Sequence, residues 1–233
     1  MTERFKLRMN PAESFYVTGM MMCTGGFLEA YTYLLKGGVF ANAQTGNLAL
    51  LGIALAQRNW LYALHCIIPI LSYILGIWLT LHMPDRMRHG IRWSTFFVLE
   101  EILVFFLVGC LPASLPTDIS TVAVSFLCAM QYNTFKKAHG IPMATTFCTN
   151  NLRQAVINFY HAAHKTDPDA SRKAWFFVRH LLCFVGGALA GSLLCGWIGE
   201  FAIWVNAAAL IPAAGIMVYA DVRRNGRLER KSD

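Results

Sequence analysis

Two short polar triplets, Thr45-Gly46-Asn47 and Thr149-Asn150-Asn151, open helix-compatible segments and lie 104 positions apart. Thr, Asn and Gly are residues that start helices, where unpaired backbone N–H groups and roughly half a positive charge gather. Two such starts facing each other would hold an anion or a polar neutral solute. Arg153, one turn into the second segment, would strengthen an anion site, with Gln44, Gln131 and Asn133 as secondary polar groups. Glu29 lies deep in an apolar run, where a carboxylate is expensive unless paired, protonated or wet. It is either a proton-coupling group or the ion-pair partner of Lys36, seven positions on and on the same helical face. Catalysis has no carrier, since G-x-S-x-G, H-E-x-x-H, phosphate-loop and dinucleotide signatures are all absent. The expectation is a protein that is not an enzyme and carries no cofactor. His161 and His164 are one turn apart but lack companion carboxylates or thiolates, so no metal site is expected.

The elements that would position these groups follow from composition. A chain of 233 residues with 56% hydrophobic and 14% charged residues and a mean hydropathy of +0.44 reads as an integral membrane protein. The net charge of +7 falls in clusters between apolar runs, which is a topology signal and not a nucleic-acid patch. The seven cysteines show no close pairing and read as small core residues. Arg4, Lys6 and Arg8 precede an apolar run, but that run is too long and too acidic at Glu29 for a cleaved signal.

Six runs, 14–35, 60–83, 93–111, 119–135, 174–197 and 201–220, approach the roughly twenty residues a spanning helix needs. Segments 37–57 and 139–164 hold helices too short to cross and begin with polar, irregular chain. Glu29 to Tyr33 aligns with Gln131 to Phe135 at an offset of 102, and Thr45 to Leu48 with Thr149 to Leu152 at 104. If both short segments dip in and return, every Lys and Arg except Lys36 and Arg58 falls on the cytoplasmic side. The fold expected is all-α and polytopic: six transmembrane helices plus two re-entrant half-helices, in inverted repeats 14–111 and 119–220, with a basic tail 221–233. Glu100 and Glu101, within the third full run, have Arg92 as the expected partner. Ser72, Gly76 and Thr80 share one helical face, as do Gly187, Gly191, Cys195 and Gly199; these serve either internal packing or a homodimer.

Gly25-Gly26-Phe27-Leu28-Glu29-Ala30, followed by Gly37-Gly38-Val39-Phe40 and Thr45-Gly46-Asn47, resembles the YoaK-type family of small bacterial multi-pass membrane proteins, a domain of unknown function. The resemblance implies a bacterial inner-membrane protein and supplies no substrate. The functional expectation is a small transporter or channel for an anionic or polar solute, with both termini cytoplasmic. The alternative is a non-transporting scaffold or accessory subunit. The partners expected are the lipid bilayer and the solute, with no nucleic acid.

Overall fold

Ser14 opens the first long helix by accepting the Val17 N–H on its hydroxyl at 3.3 Å, and Asn59 opens another by accepting from Tyr62 at 3.2 Å. Between them the chain reverses through Gly37 and Gly38, both in the left-handed region at φ +74° and +77°. A side chain there would strain the backbone, so glycine is required by conformation. His139 and Gly140 repeat the device 102 positions later at φ +48° and +75°. They form the two-residue turn of a small hairpin, β1 (Lys137–Ala138) with β2 (Ile141–Pro142), in which Lys137 pairs with Pro142.

The computed structural model describes residues 10–83, 90–112 and 114–229. After a 3₁₀ turn at Pro11–Glu13 come α1 (Phe15–Leu35), α2 (Gln44–Ala56), α3 (Trp60–Leu81), α4 (Trp93–Gly109) and α5 (Thr117–Thr134). The hairpin follows, then α6 (Thr149–Ala163), α7 (Ala170–Ile198), a 3₁₀ turn at Gly199–Phe201 and α8 (Ala202–Glu229). The fold is all-α. Two runs, Trp60–Leu81 and Ala170–Gly226, are long and apolar enough to cross a membrane; the second is α7 and α8 joined through the reversal at Gly199, φ +58°. The basic stretches at Arg4 to Arg8, at Arg86 and Arg88, and at residues 230–233 lie outside the described residues.

The basic stretch expected at 221–233 is helical as far as the structure describes it. The chain beyond 220 continues α8 to Glu229, because Asp221 is buried and anchored. It accepts from Arg92 Nε at 2.5 Å and from the Thr95 hydroxyl at 2.7 Å, and Arg92 also reaches Asn10. The start of α1, the start of α4 and the end of α8 therefore meet at one end, where Trp93 also donates to Thr134 at 3.0 Å. At the opposite end Glu200 accepts from Lys36 at 2.5 Å and from the Tyr31 hydroxyl at 2.6 Å, while His65 bridges Asp118 and the Lys36 carbonyl. Lys36 thus pairs across the fold, and the alternative pairing of Lys36 with Glu29 does not form.

Lys36 is only 3% exposed, so removal of its partner would strand a buried charge. Glu200→Gln is expected to lower stability by on the order of 3 kcal/mol. Adding Lys36→Met should recover most of it, read from thermal unfolding of the purified protein. Equal melting of Glu200→Gln and wild type would refute the pairing as a stabilising contact.

The small-residue faces close the helix pairs. On α7, a Cβ added at Gly187 would stand 1.9 Å from the Cys23 carbonyl oxygen of α1, and one at Gly26 would stand 2.0 Å from that of Phe184. On α3, the Ser72 hydroxyl donates to Val122 of α5 at 2.6 Å, and a Cβ at Gly76 would stand 2.5 Å from the Phe126 carbonyl oxygen. Of the face expected to serve either internal packing or a homodimer, Gly187 and Gly191 are packed against α1 within the chain, while nothing lies within 4 Å of a Cβ at Gly199.

Candidate functional site

The two irregular segments are shaped by one device used twice. Asn47 accepts the Phe40 N–H on Oδ1 at 2.8 Å and donates from Nδ2 to the Phe40 carbonyl at 2.8 Å and to Gln44 Oε1 at 2.9 Å. Asn151 accepts the Ala144 N–H at 3.2 Å and donates to the Ala144 carbonyl at 2.7 Å. Each side-chain amide acts like the peptide of a neighbouring strand, pinning the residue seven positions back. Both asparagines are fully buried. Leu48 and Leu152, next in sequence, are exposed, as the outer face of each short helix requires.

The pinned segments converge on Gly25 in the middle of α1. Asn42 donates from Nδ2 to the Gly25 carbonyl at 3.0 Å, and its backbone N–H donates to Glu29 Oε2 at 3.3 Å. From the other side, the Thr145 carbonyl oxygen lies 2.9 Å from where a Cβ at Gly25 would stand. Glycine is needed here because backbone approaches backbone. Gln131 of α5 donates to the Met21 carbonyl at 2.9 Å, with Thr145 at 3.5 Å, and Tyr73 of α3 faces Thr146. Under the offsets of 102 and 104, Glu29 corresponds to Gln131 and Asn42 to Thr146, so the crossing is built from matched positions.

Many polar atoms here have no partner. Asn42 Oδ1, Gln131 Oε1 and the Thr145 hydroxyl are buried without a hydrogen bond among the described residues, while Tyr73 Oη and the Thr146 hydroxyl have only each other in view and no well-formed bond. Each such atom costs about 1–3 kcal/mol, and buried polar groups in folded proteins are otherwise almost always paired, with protein or with ordered water. Three of these residues, Asn42, Thr145 and Thr146, belong to the two segments that approach Gly25.

The residues expected from sequence are divided by the structure. Glu29 and Gln131 lie at the crossing. Asn47 and Asn151 lie behind it, fully occupied with pinning. Gln44 supports Asn47 and donates to the Ala41 carbonyl at 3.0 Å, and Gly46 sits against the Phe40 ring. Thr45, Thr149, Asn150 and Arg153 are exposed on the outer faces of α2 and α6, so Arg153 does not reach the crossing. No side chain caps either short helix: the cap residues are Ala43 and Cys148. Asn42, Tyr73, Thr145 and Thr146 were missed, although adding 104 to Asn42 lands on Thr146 and would have flagged that pair. Elsewhere, Glu101 is wholly buried with neither carboxyl oxygen partnered among the described residues, since Arg92 is held by Asp221.

Two cavities lie around Asn133 and Lys136, and neither is lined by Gly25, Glu29, Asn42, Gln131, Thr145 or Thr146. One of about 450 Å³ is lined by Asn10, Thr80, Arg92, Asn133 and Lys137 among others; a second of about 390 Å³ is lined by Tyr132, Asn133, Ala144, Phe147 and Asn150. Asn133 and Lys136 line both, which gives Asn133 its place, while Thr45 and Thr149 line neither. The opposite end is tied by the Lys36–Glu200 and Tyr31–Glu200 contacts.

The sequence model of the family described as "Protein of unknown function (DUF1275)" matches residues 17–217. The chain is similar to the "UPF0700 transmembrane protein YoaK" of Bacillus subtilis (strain 168), 23% identical over 217 residues that cover 89% of this chain and 94% of that protein. No solved structure matches.

Proposed function

The chain belongs to the DUF1275 family, and on that premise we propose that it is a small membrane transporter or channel for a polar solute. The reading places six spans and two re-entrant half-helices in two inverted repeats, in a bacterial inner membrane with both termini cytoplasmic. Membrane placement is supported by the two long apolar runs, by the name of the similar Bacillus protein, and by rows of outward leucines such as Leu61, Leu64, Leu71 and Leu75 on α3. Soluble monomers rarely leave such surfaces open. The inverted repeat is supported by two matched features: the left-handed pairs 102 apart and the asparagine pins 104 apart. The half-helices α2 and α6, with 13 and 15 residues, are about 20 Å long against a core of about 30 Å.

The observation that carries a transport role is the group of buried, unpartnered polar atoms where both segments meet Gly25. In a bilayer such chain is tolerated where it lines a cavity or is buried in protein. Thr146→Val removes one hydroxyl and keeps the shape. It should cut solute flux in liposomes about tenfold, the worth of one hydrogen bond, with unfolding temperature held. Arg153→Ala, on the outer face, should leave flux unchanged. Flux lost in Arg153→Ala and kept in Thr146→Val would move the site away from Gly25.

A further inference from the structure

We infer that the solute held at the Gly25 crossing presents N–H donors, as an ammonium, amine or urea-type group does, and is not an anion; the inference rests on the transport reading above. Helix starts attract anions, but this one has a built-in carboxylate. Glu29 accepts the Asn42 N–H just ahead of α2. It occupies one of the backbone donors an anion would use there and, when ionised, opposes a second negative charge at the α2 start.

The remaining free atoms point the same way. Asn42 and Gln131 each turn their amide nitrogen to a backbone carbonyl, and a carbonyl can only accept, so the amide orientation is determined. What faces the crossing is therefore two amide oxygens, acceptors only. The hydroxyls of Tyr73, Thr145 and Thr146 donate or accept as needed. Lys36 is the only buried lysine or arginine among the described residues, and it is held by Glu200 at the far end. Lys136 and Lys137 border the cavities from exposed positions, where water and salt screen them beyond about 8 Å.

The test uses the full-length protein in liposomes and the uptake of labelled methylammonium, urea, formate and sodium. Methylammonium or urea should enter about tenfold or more faster than in protein-free liposomes, with the increment lost in Glu29→Gln and in Thr146→Val. The two N–H probes separate a charged from a neutral solute. Formate or sodium entering while neither N–H probe does would overturn the inference and leave transport standing. No entry of any of the four would overturn both. N–H uptake that survives both substitutions would also overturn it, and Thr146→Val guards against Glu29→Gln acting through misfolding.

Discussion

Gly187→Val is expected to yield almost no folded protein, while Gly186→Val, one residue earlier on the same helix, should yield as much as wild type. The Cβ at 187 would meet the carbonyl oxygen, carbonyl carbon and Cα of Cys23 at 1.9, 2.6 and 2.7 Å. All three are backbone, so no rotamer change relieves the clash. The helices would have to part by roughly 1.5 Å to reach ordinary contact distances. That parting would also undo the reciprocal contact of Gly26 with Phe184. Overpacking costs about 1–3 kcal/mol where neighbouring side chains can yield, and more is expected here because none can. At Gly186 nothing lies within 4 Å. Recovery of monodisperse protein after detergent extraction reads the difference. A folded monomer from Gly187→Val would show that the face serves a contact between copies and not the α1–α7 pair.

Asn151→Ala and Asn47→Ala are expected to destabilise the protein by about 2–5 kcal/mol each and to abolish flux, because each strands a backbone N–H and a carbonyl at one residue. For Asn151 both stranded groups belong to Ala144, itself buried. With the pin gone, Thr145 and Thr146 lose their hold beside Gly25. Asn151→Asp should recover only part, since a carboxylate can accept the N–H but opposes the carbonyl. Asn150→Ala, on the exposed neighbour, is the control and should melt like wild type. Flux lost together with stability marks a pinning residue, whereas Thr146→Val should lose flux alone. If Asn47→Ala and Asn151→Ala melt like wild type, the pins carry no such load.

Much of the helical framework was legible because a run of about twenty apolar residues has few other uses. Trp60–Leu81 falls within 60–83, and the short helices Gln44–Ala56 and Thr149–Ala163 lie inside 37–57 and 139–164. The far contacts were not legible. Lys36 is seven residues from Glu29 and 164 from Glu200, and only the fold makes the second distance the shorter. Likewise Asp221 takes Arg92 from Glu101 across 129 residues. A stripe such as Gly187–Gly191 reports that something comes close without reporting what. At the candidate site, residue type was a fair guide and role was not. Asn47 and Asn151 were singled out for chemistry and instead hold the backbone in shape. Asn42, Thr145 and Thr146 became visible only once both segments were seen to reach one glycine.

The two left-handed reversals are secured in different ways. His139–Gly140 is clamped: the His139 N–H donates to the Glu13 carbonyl at 2.9 Å, the Gly140 N–H reaches the Glu13 carboxylate, and the His139 ring accepts from the Phe15 N–H at 3.2 Å. Gly37–Gly38 has a single backbone tie, from the Gly38 N–H to the Tyr33 carbonyl at 3.2 Å, and no hairpin around it. The loop beyond Gly37–Gly38 is instead held from its side: the Ala41 N–H donates to the Thr32 hydroxyl at 3.0 Å and Asn42 to the Gly25 carbonyl at 3.0 Å, so one reversal is secured at the turn itself and the other through the chain that follows it.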